Sequence, residues 1–249
     1  MPFENLFQRL HDREMLMPYL ESAIKADKWP DSYNIPVDTS PHYSGGGVYF
    51  SPSTHPLLGA RQIYYMRHPV HKKLMIPERR TMGQHMRLVM GTAYHSVIQT
   101  QLQMAGLIKR DEDIEVPFTI EDHHVRGRID FIACTPEDPE VVVEVKTQDS
   151  RMFQYNKGIT PYWDAQLSLN EYAMGKDYGI LLLIEFGGNN DIKEIRHQRN
   201  DVLLGEIFEK FDMVYDCIQR DTPPDHCCMP DSKEMQKCPA RGECWLKET

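Results

Sequence analysis

Gly127-Arg-Ile-Asp-Phe-Ile132 and Val141-Val-Val-Glu-Val-Lys146 are two alternating apolar runs, and the short acidic turn Thr135-Pro-Glu-Asp-Pro-Glu140 lies between them. Runs of this kind on either side of a Pro- and Asp-containing turn predict a β-hairpin. A hairpin symmetric about position 137 sets Asp130 directly opposite Glu144. Side chains alternate with a period of two, so Lys146 shares a face with Glu144 while Val145 points away. Two carboxylates and one ammonium then meet on a sheet otherwise built of Val, Ile and Phe. Facing carboxylates repel and need a compensating cation to stay ionised. Lys146 supplies part of that charge, and the arrangement also suits a divalent metal. A surface hairpin with a Glu-Lys pair on its wet face has the same pattern, so the hairpin alone leaves both readings open.

Outward from the hairpin, the chain alternates helical and strand patterns. Apolar positions at helical spacing run over residues 3–28, and Pro, Gly, Ser and Asp dominate a loop over 29–60 that includes Gly45-Gly-Gly47. A helix is expected over 83–105, with Gly106 as its stop. Strands follow near 113–120, 124–133 and 140–147. Pro161 opens a helix to about Gly175. The apolar run from Ile180 to Phe186 predicts a buried strand, Gly187-Gly-Asn-Asn-Asp191 a turn, 192–198 a returning strand, and 201–220 an amphipathic helix.

Asp130 followed by Glu144-Val145-Lys146 resembles the D…(D/E)-x-K core of the PD-(D/E)XK nuclease superfamily, and in particular its RecB-like branch of CRISPR-associated-type exonucleases and their phage-encoded relatives. Four further stretches resemble motifs of that branch in the same order. Ser51-Pro-Ser-Thr54 with Arg61-Gln-Ile-Tyr-Tyr65 resembles its entry motif, and Gly91-Thr-Ala-Tyr-His95 its G-x-x-x-H motif. Gln166-Leu167 resembles the start of Q-x-x-x-Y, and the cysteine-rich end resembles its iron–sulfur region. The resemblance spans about residues 50 to 245. It implies an α/β fold with a restriction-endonuclease-like αβββαβ core, a central mixed sheet flanked by helices. The organisation expected with it is an N-terminal helix and loop over 1–60, the core over 61–220 and a Cys-rich tail over 221–249.

The activity implied is metal-dependent hydrolysis of DNA from its ends, with single strands favoured, in recombination, repair or end processing. A non-catalytic DNA-binding protein with a structural tail, or an endonuclease of the same fold, are the alternatives. The resemblance makes Asp130, Glu144, Lys146 and Gln166 catalytic, and His95, Asp130, Glu144 and the Val145 carbonyl ligands of Mg²⁺ or Mn²⁺. Oxygen donors suit both ions, and the imidazole shifts the preference toward Mn²⁺. One departure from the family pattern is that Asn170 stands where the family has tyrosine, four residues after Gln166 on the same helical face. Glu115 lies where relatives often carry an acid, and it also reads as an exposed strand charge.

Bulk properties bound the function from another side. The chain has 249 residues, 26% of them charged and 41% apolar, which is ordinary for a globular protein with a substantial core. No run approaches the roughly 20 apolar residues of a membrane span, and Met1 to Lys28 is too charged for a secretory signal, so a cytoplasmic location is expected (the host's, for a phage-encoded chain). The net charge of −9 argues against a nucleic-acid binder until its distribution is considered. Arg61, Arg67, Lys72, Lys73, Arg79, Arg80 and Arg87 stand against Glu78 alone between positions 61 and 90. A surface that tracks DNA phosphates is the reading taken here, with Tyr64, Tyr65 and Tyr94 available to stack on bases or to fill core.

Four of the six cysteines fall in the tail: Cys227, Cys228, Cys238 and Cys244. Clustered thiols in a reducing compartment point to metal before disulfides. The family analogy implies a [4Fe–4S] cluster pinning the C-terminus to the core, and Zn²⁺ is the rival. Relatives draw one ligand from a cysteine just before the entry-motif arginine, where this chain has Gly59-Ala60-Arg61. The tail can make up the count with all four cysteines, or with Cys228, Cys238 and Cys244 plus His226 or another group. Cys134 and Cys217 are read as core.

Overall fold

The computed structural model describes residues 14–26, 28, 30–33, 47–74, 81–156 and 158–245, with the side chains of 73 and 74 left aside. Of the expected N-terminal helix, α1 (Met17–Lys25) is described and residues 1–13 lie outside the described part, as do Gly45 and Gly46 of the loop. The remaining elements are α2 (Ala60–Arg67), α3 (Met82–Met104), β1 (Ile114–Ile120), β2 (Val125–Ala133), β3 (Val141–Asp149), α4 (Ser150–Tyr155), α5 (Pro161–Ala173), β4 (Tyr178–Phe186), β5 (Ile192–Gln198), α6 (Asp201–Gln219), α7 (Lys233–Lys237) and α8 (Arg241–Cys244). This is an α/β protein with the expected order of helix, three strands, helix and strand. Helices α2 and α4 were not anticipated. Both are short, and their apolar positions are too few to show a period.

The five strands form one mixed sheet in the order β1-β2-β3-β4-β5. β2 and β3 are antiparallel, β3 and β4 parallel, and β4 and β5 antiparallel. A parallel pair cannot be joined by a tight turn, and here α4 and α5 make the crossover. Side-chain caps start both crossover helices. The Asp149 carboxylate accepts the Met152 amide at the head of α4, and the Thr160 hydroxyl accepts the Trp163 amide at the head of α5, with Pro161 at its first position. Gly175, at φ +64°, ends α5 in the left-handed conformation that glycine tolerates. Asn200 caps α6 through the Leu203 amide.

The alternation along β3 divides the two faces of the sheet. Val141, Val143 and Val145 join Ile180, Leu182 and Ile184 of β4 in one core, covered by Leu16, Leu20, Ile98 and Leu102. Val142 faces the other way, with Ile129 and Ile132. Glu144 and Lys146 continue that second face, where α5 packs against β3, β4 and β5. A buried ionic triad fixes α5: His197 of β5 meets Glu171 at 2.7 Å through Nδ1 and Asp164 at 3.1 Å through Nε2. Burial alone would lower the His197 pKa, but the two carboxylates outweigh it and raise it.

The chain packs as two compact units that interleave along the sequence. One comprises 1–41, 82–118 and 128–199, the other 42–81, 119–127 and 200–249. In the second, Phe50 pairs with Val125 in a bridge and stacks on Phe211 at 4.5 Å between ring centroids. The buried face of α6 (Leu204, Ile207, Phe211, Val214) and the buried Ile63 and Tyr64 of α2 belong to it as well. Among the described residues, no helix is long and apolar enough to cross a membrane.

Candidate active site

The hairpin register runs Phe131↔Val143, Ile132↔Val142 and Ala133↔Val141, a pairing centred on residue 137 that sets Asp130 opposite Glu144. The Val145 amide donates to Asp130 Oδ2 at 2.7 Å, which ties the acidic residue of one strand to the backbone of the other. Glu144 is 1% exposed. Lys146 Nζ donates to Glu144 Oε1 at 2.5 Å and Gln166 Nε2 to the same oxygen at 2.6 Å, while Asn170 Nδ2 donates to Oε2 at 3.0 Å. The carboxylate is thus held by one ammonium and two amides. Gln166 and Asn170 are four apart on α5, so one helical face presents both amides to β3.

Electrostatics follow from this crowding. Burial pushes the Asp130 carboxyl up to about 6, against the pull of Lys146 and the Val145 amide. Burial, and then the Asp130 charge, push Glu144 up to about 7. Burial drives the Lys146 ammonium down, but Glu144 and Asp130 more than offset it and the net direction is upward. Lys146 therefore stays charged at neutral pH. His95 reaches the site from α3, with Nδ1 3.7 Å from Asp130 Oδ2 and a hydrogen bond to the Val145 backbone. Burial lowers its pKa and keeps the imidazole neutral, the form a metal needs.

The donors fit a divalent ion. Two buried carboxylates with raised pKa values gain from a cation, and a neutral imidazole and a backbone carbonyl stand beside them. Glu144 leans toward Lys146 and the amides of α5, so it does not join His95 and Asp130 in a three-ligand set within 4.8 Å. Glu115 is exposed, adopts φ +50° and pairs with Arg128 at 3.5 Å. Its charge acts at a distance on both His95 and Asp130.

The residues singled out for DNA contact separate into classes. Arg61 is buried, and its guanidinium donates to the Pro224 carbonyl and hydrogen-bonds Cys244. Burial also depresses Arg67. Lys72 is exposed. Arg87 is exposed on α3, its Nε donating to the Gly83 carbonyl at 3.3 Å. Arg79, Arg80 and the Lys73 side chain lie outside the described residues. Tyr64 and Tyr65 are core residues, and the half-buried Tyr94 donates to Asn190 at 2.7 Å.

In the second unit, Gly59 and Cys227 are in close contact. A Cβ at Gly59 would lie 2.5 Å from both Cβ and Sγ of Cys227. Burial raises the pKa of both Cys238 and Cys244, and the charges of Cys227 and Cys228 raise each further, but among the described residues no three of the four sulfurs lie within 4.8 Å of one another. His226 Nδ1 lies 3.4 Å from Cys244 Sγ, and its ring stacks on Trp245 at 3.8 Å.

Sequence reasoning treated Asn170 only as a departure from Q-x-x-x-Y. The i, i+4 spacing puts it on the same helical face as Gln166 but gave no sign of its bond to Glu144. Asn170→Ala is expected to leave Glu144 Oε2 buried without its donor. Unfolding in urea should then show a loss of about 1–3 kcal/mol. Gln166→Ala should cost a similar amount, because it removes a donor from the other oxygen.

No protein-family model matches the chain, and no curated protein matches it. Among solved structures, the chain is similar to the crystal structure of SSO0001, with 16% identity, 94% of this chain and 96% of that chain covered, and a TM-score of 0.49. It is also similar to LHK-Exo in complex with dAMP, at 12% identity over 70% of this chain and 89% of that one, with a TM-score of 0.48. A further crystal structure of LHK-Exo, an alkaline exonuclease from Laribacter hongkongensis, has 13% identity, the same coverage and a TM-score of 0.43. These likenesses are remote, and fold and chemistry rest on the residues of this chain.

Proposed function

We propose that the chain is a metal-dependent exonuclease that hydrolyses phosphodiester bonds from DNA ends, single strands favoured, in recombination, repair or end processing. The supporting observation is the convergence of Asp130, Glu144, Lys146 and His95 at one point of the β2–β3 hairpin, with both oxygens of Glu144 held from α5. Asp130, Glu144, His95 and the Val145 carbonyl would hold Mg²⁺ or Mn²⁺. The ion would acidify a water and neutralise charge developing on the phosphate. Lys146 is charged and cannot accept the water's proton, so its role is to orient the nucleophile and stabilise the anionic transition state. Gln166 acts by positioning Glu144. Arg87, on the helix that carries His95, contributes phosphate affinity, as do the exposed Lys72 and the Lys73, Arg79 and Arg80 positions.

For the tail we propose a metal site formed by Cys227, Cys228, Cys238 and Cys244, with a [4Fe–4S] cluster preferred over Zn²⁺. The contact at Gly59 supports the four-cysteine set over the one that uses His226. Cys227 fills the room that a side chain at the family's upstream cysteine position would take. Exchanging the two, as Gly59→Cys with Cys227→Gly, should preserve metal content by elemental analysis and absorption spectroscopy. Cys227→Gly alone should lose it. Equal metal content in the single variant and the wild type would move the fourth ligand elsewhere.

The function is tested on linear and closed circular DNA, single- and double-stranded, labelled at either end, with Mn²⁺ or Mg²⁺. Loss of nucleotides from linear ends with circles left intact is the expected result, and the label that disappears first reports the polarity. Cutting of circles would make the protein an endonuclease. Tight DNA binding without cleavage by the metal-loaded protein would leave a binding module.

A further inference from the structure

The second compact unit brings together four ionisable residues that the cleavage reading does not use. His68 directly follows α2, and His71 opens a 3-10 turn over His71–Leu74. Asp221 lies just beyond α6 in the left-handed conformation, at φ +50°. Glu243 sits in α8 with its side chain only 9% exposed. His68 Nε2 stands 3.0 Å from Asp221 Oδ1, and His71 Nδ1 3.3 Å from Glu243 Oε2. The two imidazole centroids are 4.6 Å apart. One ligand atom from each of His68, His71 and Asp221 lies within 4.8 Å of the other two, the one such set of His, Cys, Asp or Glu among the described residues.

We propose that His68, His71 and Asp221 form a binding site for a divalent transition ion of the zinc type, with Glu243 orienting His71 from behind. Two imidazole nitrogens and one carboxylate oxygen are the donor set of three-ligand zinc sites, which leave a fourth position open to water. The exposed Asp221 places that open position toward solvent, its side chain being 76% exposed. Mg²⁺ and Ca²⁺, which favour all-oxygen sites, are poor candidates. A carboxylate hydrogen-bonded to the far nitrogen of a ligating histidine fixes its tautomer, and Glu243 stands in that relation to His71.

An ion pair between His68 and Asp221 is the plainer account, but it gives no reason for a second imidazole with its own carboxylate at the same point. Buried aromatic rings wall the pair. Tyr64 lies 5.2 and 5.9 Å from the two imidazoles, and its hydroxyl lies 3.4 Å from Asp221. The ion would tie the end of α2, the end of α6 and the tail together. Its donors are separate from the cysteine thiols and from the Asp130 site, so the inference stands apart from the cleavage reading.

The hydrogen bonds of His68 set a specific signature. His68 Nδ1 accepts the amides of Val70 and His71 at 3.2 and 3.4 Å, so Nε2 carries the proton toward Asp221. Metal binding at Nε2 moves that proton to Nδ1 and gives up these two long contacts.

The test is zinc titration of the full chain by calorimetry, with metal content per chain and the ring ¹⁵N resonances of the histidines followed together. The wild type should bind one zinc more per chain than His71→Gln or Asp221→Asn, and His68 should change tautomer on saturation. Glu243→Gln should keep the equivalent but bind it about tenfold more weakly or worse. Equal zinc content in wild type, His71→Gln and Asp221→Asn would overturn the proposal. So would a wild-type His68 ring that keeps its tautomer at saturating zinc, a measurement that does not depend on the variants folding.

Discussion

Lys146→Ala should lower metal-dependent release of nucleotides from end-labelled single strands by about a thousandfold, the upper range for removing one preorganised donor from an anionic transition state. Among the described residues the ammonium is the one cation in an ion pair with Glu144, at 2.5 Å from Oε1, and its pKa is held up by Glu144 and Asp130 despite burial. On the cleavage reading, removing it takes away charge stabilisation at the phosphate. It also leaves Glu144, already near 7, with still less reason to ionise at neutral pH. Lys146→Arg keeps the charge but not its compact shape, and should recover only part of the rate. Initial rates at saturating Mn²⁺ read the effect, with DNA affinity measured separately in Ca²⁺. A Lys146→Ala protein within tenfold of wild type would remove Lys146 from the mechanism, and with it the main support for the cleavage reading.

Asp130→Asn should abolish cleavage and yet make the metal-free protein more stable at pH 8. In the fold the Asp130 carboxyl is pushed up to about 6 from an ordinary 3.8. A raised carboxyl pKa means the native state binds the proton more tightly than the unfolded chain. The favourable contribution is fully present below about pH 4 and is lost as the pH rises through 6. Above that, holding the carboxylate ionised and buried beside Glu144 destabilises the fold by on the order of 3 kcal/mol. Asparagine keeps an oxygen for the Val145 amide and carries no charge. Metal-free wild type should therefore melt higher at pH 5 than at pH 8, Asp130→Asn should lose much of that slope, and saturating Mn²⁺ should raise the wild type alone. A metal-free Asp130→Asn protein less stable than wild type at pH 8 would show that burying the ionised Asp130 carboxylate does not cost the fold as argued.

The central device was legible because it is local. Strand alternation and a six-residue turn are enough to pair residues about position 137, and the observed pairing of Phe131 with Val143 is centred there. The strand over Tyr178–Phe186 was legible from its unbroken apolar run, and the helix over Met82–Met104 ends, as expected, just before Gly106. Short helices were not. Ala60–Arg67 and Ser150–Tyr155 carry too few turns for a period, and α4 is held by its Asp149 cap and by Phe153, its one buried residue.

Side-chain destinations divide in the same way. Counting charges made the Arg61–Arg87 stretch a basic surface, but Arg61 turns inward to the Pro224 carbonyl because α2 packs through Ile63, Tyr64 and Tyr65. No spacing rule could have shown that the Asn170 amide reaches Glu144, 26 residues away, or that Cys227 fills the space beside Gly59. The meeting of His68 and His71 with Asp221 is of the same kind. The sequence by itself determined the αβββαβ order and the facing Asp130, Glu144 and Lys146, because strand and helix periods are properties of neighbouring residues. Only the tertiary structure decided which amides hold Glu144, which arginines are buried, and which histidines meet Asp221. Those contacts depend on how distant elements pack, and packing is settled by the shape and burial of whole faces.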